Sequence, residues 1–177
     1  MLPNENKYDA YFEKYGKQYG IDPLFLKAQI KQESRFDPKA VSRVGAKGLA
    51  QFMPKTWQEW GDYSPGIQTT WKSYDPFKPE DSLHSQAAYM SFLLKFVRKR
   101  TNEYNNEYAL ACYNWGMGMV LNLLRETNFD YYLFYSKLPE ETQNYIRLID
   151  KYYQEYKAKY YLTTLGEIKP RGLDEVE

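Results

Sequence analysis

Apolar and aromatic side chains recur every three or four positions along nearly the whole chain, which predicts helices. Tyr8, Tyr11, Phe12, Tyr15 and Tyr19 mark a first helix over about Glu5 to Tyr19, stopped by Gly20. Asp22 then caps a second helix, with Pro23 in its first position, running to about Ser34. Residues 35–48 hold two glycines, a proline and a serine, and read as an ordered loop. A short helix is expected from Pro54, then a long irregular segment, Gly61 to Pro79, of the kind that often carries function. Helices follow over Glu80 to Lys99 (stripe Ala87, Met90, Leu94, Val97), Glu107 to Trp115 and Met119 to Arg125. A last long helix starts near Pro139, with Thr142, Tyr145, Ile149, Tyr152 and Tyr156 on its core face. No alternating strand pattern of useful length occurs, so the fold class is all-α. Residues 1–165 are expected to form one domain and 166–177 a flexible charged tail.

One polar residue interrupts this rhythm. Leu26, Gln29, Ile30 and Glu33 share a stripe on the second helix, at i, i+3, i+4 and i+7. Leu26 and Ile30 point the stripe at the core, so Glu33 stands where an apolar residue belongs. Burial and the nearby helix C-terminus both disfavour its carboxylate and raise its pKa. A general acid for glycosidic cleavage needs that property. The alternative is a Glu33 paired with Arg35 or a lysine at the edge of a cleft.

Composition narrows the function classes. The 177 residues carry net charge +1, so no global field favours nucleic acid or an anionic membrane surface. The single cysteine, Cys112, excludes an internal disulfide and a cysteine-cluster metal site. Met1 to Ala10 has no apolar run and nothing approaches the roughly 20 apolar residues of a membrane span, so the expectation is a protein made in the cytoplasm and not inserted in a membrane. Tyrosine is abundant, at 19 residues. An apolar face with a polar tip suits a wet sugar-binding cleft, but it also suits the core of a small domain. His84, the only histidine, is expected on a helix surface. Asp62, Asp75 and Asp81 lack EF-hand spacing. Lys95, Arg98, Lys99 and Arg100 read as a solvated helix end, with anionic wall polymers as an alternative partner.

Four blocks, in order between about Tyr8 and Tyr156, resemble the lysozyme-like lytic transglycosylases. They are Glu33-Ser34 with Asp37-Pro38, Ala40 and Ser42; Gly45 to Pro54 (GAKGLAQFMP); Ala111 to Gly116 (ACYNWG); and Glu141-Thr142 with Tyr145. The resemblance implies an α-helical lysozyme-like fold with a substrate cleft, peptidoglycan glycan strands as partner, no cofactor and no metal. It implies Glu33 as the catalytic acid. Glu33 would protonate the oxygen between N-acetylmuramic acid and N-acetylglucosamine, then act as base on the muramic C6 hydroxyl, which closes a 1,6-anhydro ring. It also places Ser42, Gln51, Met53, Tyr113, Asn114 and Glu141 along the cleft. Ser42 and Gln51 would hydrogen-bond sugar substituents, Met53 would form an apolar wall, and Tyr113 would direct its hydroxyl toward Glu33. Asn114 and Glu141 would touch sugar or else serve as a cap or loop anchor. The chain departs from the pattern at Ala50, where many members have methionine, at Cys112, where alanine is commoner, and at Ser82-Leu83. Its Phe52 to Trp57 stretch looks closest to bacteriophage members, which suggests a phage lysin or virion-borne enzyme. A water-using lysozyme and a non-catalytic glycan-binding or virion module are the competing readings, and a monomer is expected.

Overall fold

Asp22 opens the helix that carries Glu33, because its carboxylate accepts from the Leu24 amide at 2.8 Å beside Pro23. In the computed structural model, which describes residues 2, 4–60 and 75–167, eight helices follow one another. They are α1 (Asp9–Tyr19), α2 (Pro23–Ser34), α3 (Pro54–Trp60), α4 (Pro79–Thr101), α5 (Asn106–Trp115), α6 (Met117–Glu126), α7 (Tyr131–Lys137) and α8 (Glu140–Glu167). The only pairing of extended backbone among the described residues is two isolated bridges, Val41 with Lys47 and Lys47 with Phe52. The fold is therefore all-α, as the periodicity predicts. Most of the expected irregular segment, including Asp62, lies outside the described residues, as does the tail beyond 167.

The core forms where α2 lies along α8, with α1, α4 and α5 closing around them. Leu26, Ala28 and Ile30 of α2 meet a core that includes Met90 and Leu93 of α4, Leu110 and Ala111 of α5, and Ile146 and Ile149 of α8. All of these are essentially inaccessible to solvent. The start of the chain is tied to α8 by cations and rings. Lys31 lies 4.3 Å from the Tyr152 ring centre and 5.0 Å from that of Tyr156, whose hydroxyl donates to Glu5 at 2.8 Å. Many tyrosines are thus core residues with a polar tip that finds a partner.

Three expectations change. The first helix begins at Asp9, not Glu5, because residues 4–8 turn back on themselves: Asn4 is left-handed and the Glu5 carboxylate accepts from the Leu2 amide. α7 has no amphipathic rhythm in Tyr131 to Tyr135 and buries only Phe134, so periodicity misses it. Its signal is Asp130, whose side chain accepts from the Leu133 amide at 2.7 Å. His84 is half-buried rather than on the surface. It stacks on Tyr15 at 4.7 Å and shares a 2.7 Å hydrogen bond with the Tyr19 hydroxyl, joining α4 to α1.

Candidate active site

Glu33 sits in the last turn of α2, and the chain leaves it abruptly. Arg35 and Phe36 both adopt left-handed backbone, at φ 52° and 64°. Neither is glycine, so the turn stores strain of roughly 1–3 kcal/mol per residue. The turn drives the Phe36 ring into the core, where it is fully buried, while Arg35 is left exposed. Arg35 makes no ion pair with Glu33, and neither does any lysine among the described residues.

Glu33 retains some exposed surface, but its carboxyl group is enclosed by protein. Burial pushes its pKa up to about 8, opposed only by a hydrogen bond from the Tyr145 hydroxyl. At neutral pH the acid is therefore mostly protonated, as a proton donor to a leaving oxygen must be. No other carboxylate among the described residues perturbs it. Burial, and then the charge of Glu33, raise the Tyr145 hydroxyl well above the ordinary tyrosine range, so Tyr145 stays a neutral donor. The same two causes act on Tyr113.

The loop after α2 builds a wall beside the acid. Its backbone closes on itself through Ser42 N–H to Ala46 O (2.9 Å), Gly48 N–H to Ala40 O (2.9 Å) and Lys47 N–H to Phe52 O (3.0 Å). Two predicted site residues act as stitches within it. The Ser42 hydroxyl oxygen accepts from the Ala46 amide at 3.0 Å. The Gln51 amide donates to Gly48 O at 2.8 Å and to Ala40 O at 3.2 Å. Both residues stay only partly buried, with hydrogen-bonding capacity left over.

Tyr113 of α5 holds the far end of the loop by donating to the Ala50 carbonyl at 2.8 Å, while the Ala50 amide donates to the Ser82 hydroxyl at 3.2 Å. Its ring packs against Phe52 (5.7 Å) and Tyr89 (5.4 Å). Tyr113→Phe should keep this packing and lose the hydrogen bond, costing about 1 kcal/mol. The expected fall in melting temperature is roughly 2–4 °C, read by circular dichroism.

The remaining predicted residues lie at the solvent edge. Met53 is exposed just before α3. Asn114 is exposed at the end of α5 and accepts from the Thr142 hydroxyl at 2.8 Å, which ties α5 to the start of α8. Glu141 is exposed in the first turn of α8. Three residues close to the acid were not singled out from the sequence as site residues: Tyr145, Gln29 and Gln86. Tyr145 stands in the fourth sequence block, but nothing in the sequence pairs it with Glu33.

The sequence profile of the transglycosylase SLT domain matches residues 10–131, about two thirds of the chain. The chain belongs to that family. Membrane-bound lytic murein transglycosylase C of Sodalis glossinidius is 29% identical over 157 residues, covering 80% of this chain and 42% of that protein. Its counterpart from Edwardsiella ictaluri is 32% identical over 130 residues, covering 70% and 36%. The crystal structure of the 70-kDa soluble lytic transglycosylase of Escherichia coli superposes with TM-score 0.69 at 25% identity, covering 88% of this chain and 25% of that one. The SLT domain described here thus spans under half the length of these curated relatives. Its helical fold is the lysozyme-like one of that structural neighbour. Glu33, Ser42, Gln51, Met53, Tyr113 and Asn114 fall inside the matched span; Glu141 and Tyr145 fall beyond it. Among the described residues no helix is long and apolar enough to cross a membrane, and no group of three or more His, Cys, Asp or Glu could hold a metal ion. Cys112 is buried with its thiol pushed up to about 12, which makes it a small core residue and not a nucleophile.

Proposed function

We propose that this SLT domain, taken as residues 1–165, is a peptidoglycan lytic transglycosylase acting outside the cytoplasm as a monomer. The observation that carries the reading is a single enclosed carboxylic acid, Glu33, held protonated near neutral pH and backed by a neutral hydroxyl donor, Tyr145. Protonated Glu33 gives its proton to the oxygen between N-acetylmuramic acid and N-acetylglucosamine. The C1–O bond breaks, the N-acetylglucosamine 4-hydroxyl leaves, and positive charge develops at C1. The carboxylate then takes the proton of the muramic C6 hydroxyl, O6 bonds to C1, and Glu33 is protonated again. No water is consumed, so no second carboxylate is required, unlike a two-carboxylate glycosidase. Tyr145 contributes most while Glu33 is ionised, because a hydrogen bond to a charged acceptor is roughly twice as strong as one to a neutral acceptor.

Ser42, Gln51, Met53, Tyr113, Asn114 and Glu141 are the proposed glycan-contacting set. Ser42 and Gln51 hold the loop and offer their remaining lone pairs and N–H to sugar substituents. The relatives carry the words membrane-bound in their names. A phage lysin or virion setting is supported only by the Phe52 to Trp57 stretch.

Mass spectrometry of digested peptidoglycan tests the activity. Anhydro-muropeptides, roughly 18 Da below the hydrated products, are the expected result. Reducing-end muropeptides would instead identify a lysozyme, and an undigested wall would leave a binding module.

A further inference from the structure

Behind Tyr145 lies a chain of buried amides. The Gln29 side-chain nitrogen sits 3.1 Å from the Tyr145 hydroxyl and 3.7 Å from Met90 Sδ. The Gln86 nitrogen sits 2.8 Å from Gln29 Oε1 and 3.1 Å from the Leu26 carbonyl. Both glutamines are wholly inaccessible to solvent. The direction of every bond in this chain follows from one group. The Leu26 carbonyl can only accept, so the Gln86 nitrogen must face it. That nitrogen also donates to Gln29, which must therefore present its oxygen to Gln86 and its nitrogen to Tyr145. Tyr145 then accepts from Gln29 and has its own proton to give, and the carboxylate of Glu33 is where it goes.

The arrangement carries a cost that a core built only for packing would avoid. Gln86 Oε1 is buried with no hydrogen-bond partner, a penalty of the kind found where a polar group serves something other than stability. Two leucines or methionines would fill the same space without it.

We propose that Gln29, oriented by Gln86, is a positioning residue that fixes the Tyr145 O–H as a donor to Glu33 in both protonation states of the acid. With Oε1 of Glu33 always receiving that hydrogen bond, the acidic proton resides on Oε2. Without Gln29, Tyr145 can rotate and accept a hydrogen bond from protonated Glu33, which favours the protonated form and delays release of the proton. This inference rests on Glu33 being the catalytic acid, and its test is chosen to need no turnover.

The test is an NMR titration of the 13C-labelled Glu33 carboxyl, identified by the loss of its signal in Glu33→Gln. The titratable groups facing it are Tyr145 from α8 and Tyr113 from α5, with Tyr89 of α4 behind Tyr113. Burial holds the Tyr145 and Tyr113 hydroxyls well above the ordinary tyrosine range, so neither ionises in the range of interest. Gln29→Met should move the Glu33 midpoint upward by about one pH unit. In a Tyr145→Phe background, adding Gln29→Met should move it by less than about 0.3 unit, because the effect passes through the tyrosine. If Gln29→Met does not fold, Gln29→Met/Gln86→Met, which also removes the orphaned oxygen, serves in its place. An unmoved midpoint in a folded variant overturns the proposal. So does a full shift that persists without the Tyr145 hydroxyl, which would mean general repacking. Wild-type protein that fails to cut peptidoglycan while the midpoint still moves would overturn the activity and leave the positioning role standing. Cleavage with an unmoved midpoint does the reverse.

Discussion

Glu33→Gln should lower glycan cleavage by about 10² to 10⁴-fold and raise the melting temperature of the same protein. Both effects come from one enclosed carboxyl group. Its ordinary pKa of 4.5 is raised to about 8 in the native state, chiefly by desolvation. Between those values the native state holds a proton that the unfolded chain has released. Stability therefore falls as pH rises through that window and levels off above it. Glutamine has nearly the same shape, still accepts from Tyr145, and never has to be ionised. At pH 5 the two proteins should melt within a degree or two of one another. At pH 8 to 9 the variant should gain about 1–3 kcal/mol, or roughly 3–8 °C. Thermal denaturation across pH, beside a turbidity assay on purified cell walls, reads both effects. A variant that still clears walls removes Glu33 from the mechanism. One that is inactive, with a pH-independent difference in melting temperature, would mean that the carboxyl is solvated.

Gly48→Ala should be the most damaging single-atom change among the described glycines. Its φ is 73°, in the left-handed region that glycine tolerates best. The space is also closed: an added Cβ would lie 1.8 Å from the Pro76 carbonyl oxygen and 2.7 Å from its carbon. Both are backbone atoms, so no rotamer change relieves the overlap. Either the loop or the approach to α4 must move, which costs about 3 kcal/mol or more. The melting temperature should fall by roughly 6–12 °C. Gly48 also donates to Ala40 and accepts from Gln51, so cleavage should drop even at temperatures where the variant is folded. Gly45→Ala is the control. It has positive φ but nothing within 4 Å of the added carbon, so it should cost only the backbone strain. Equal losses in the two variants would refute the close-approach argument.

The sequence reveals those parts of the molecule that depend on neighbours in the chain. The bounds of α2 follow from Asp22, Pro23 and the apolar period, and the structure reproduces them at Pro23–Ser34. The suspicion attached to Glu33 is likewise local, because a lone acid on an apolar stripe is visible in twelve residues. Partners distant in sequence are not visible in this way. Whether Glu33 meets a cation or a hydroxyl is decided by α8, and Arg35, its nearest sequence candidate, is turned outward by left-handed backbone. Ser42 and Gln51 show a second limit. Their chemistry suits sugars, and it suits stitching a loop equally well; only coordinates reveal the second use. Gln29 stands in the sequence only as a member of the Glu33 stripe and Gln86 does not stand out at all; their meaning lies in facing each other.

The hydrogen bond that completes the acid joins residues 112 positions apart. Until α8 docks on α2, Glu33 lacks its Tyr145 partner at the end of a short helix. Long-range closure of this kind is slow relative to forming the helices themselves. A chain still being synthesised, or one refolding from denaturant, should therefore lack the proposed acid in working form. Recovery of activity should lag recovery of helical signal and coincide with burial of the Tyr145 ring. The proposed acid is completed only by long-range docking, so a partly folded molecule should be inert toward the wall.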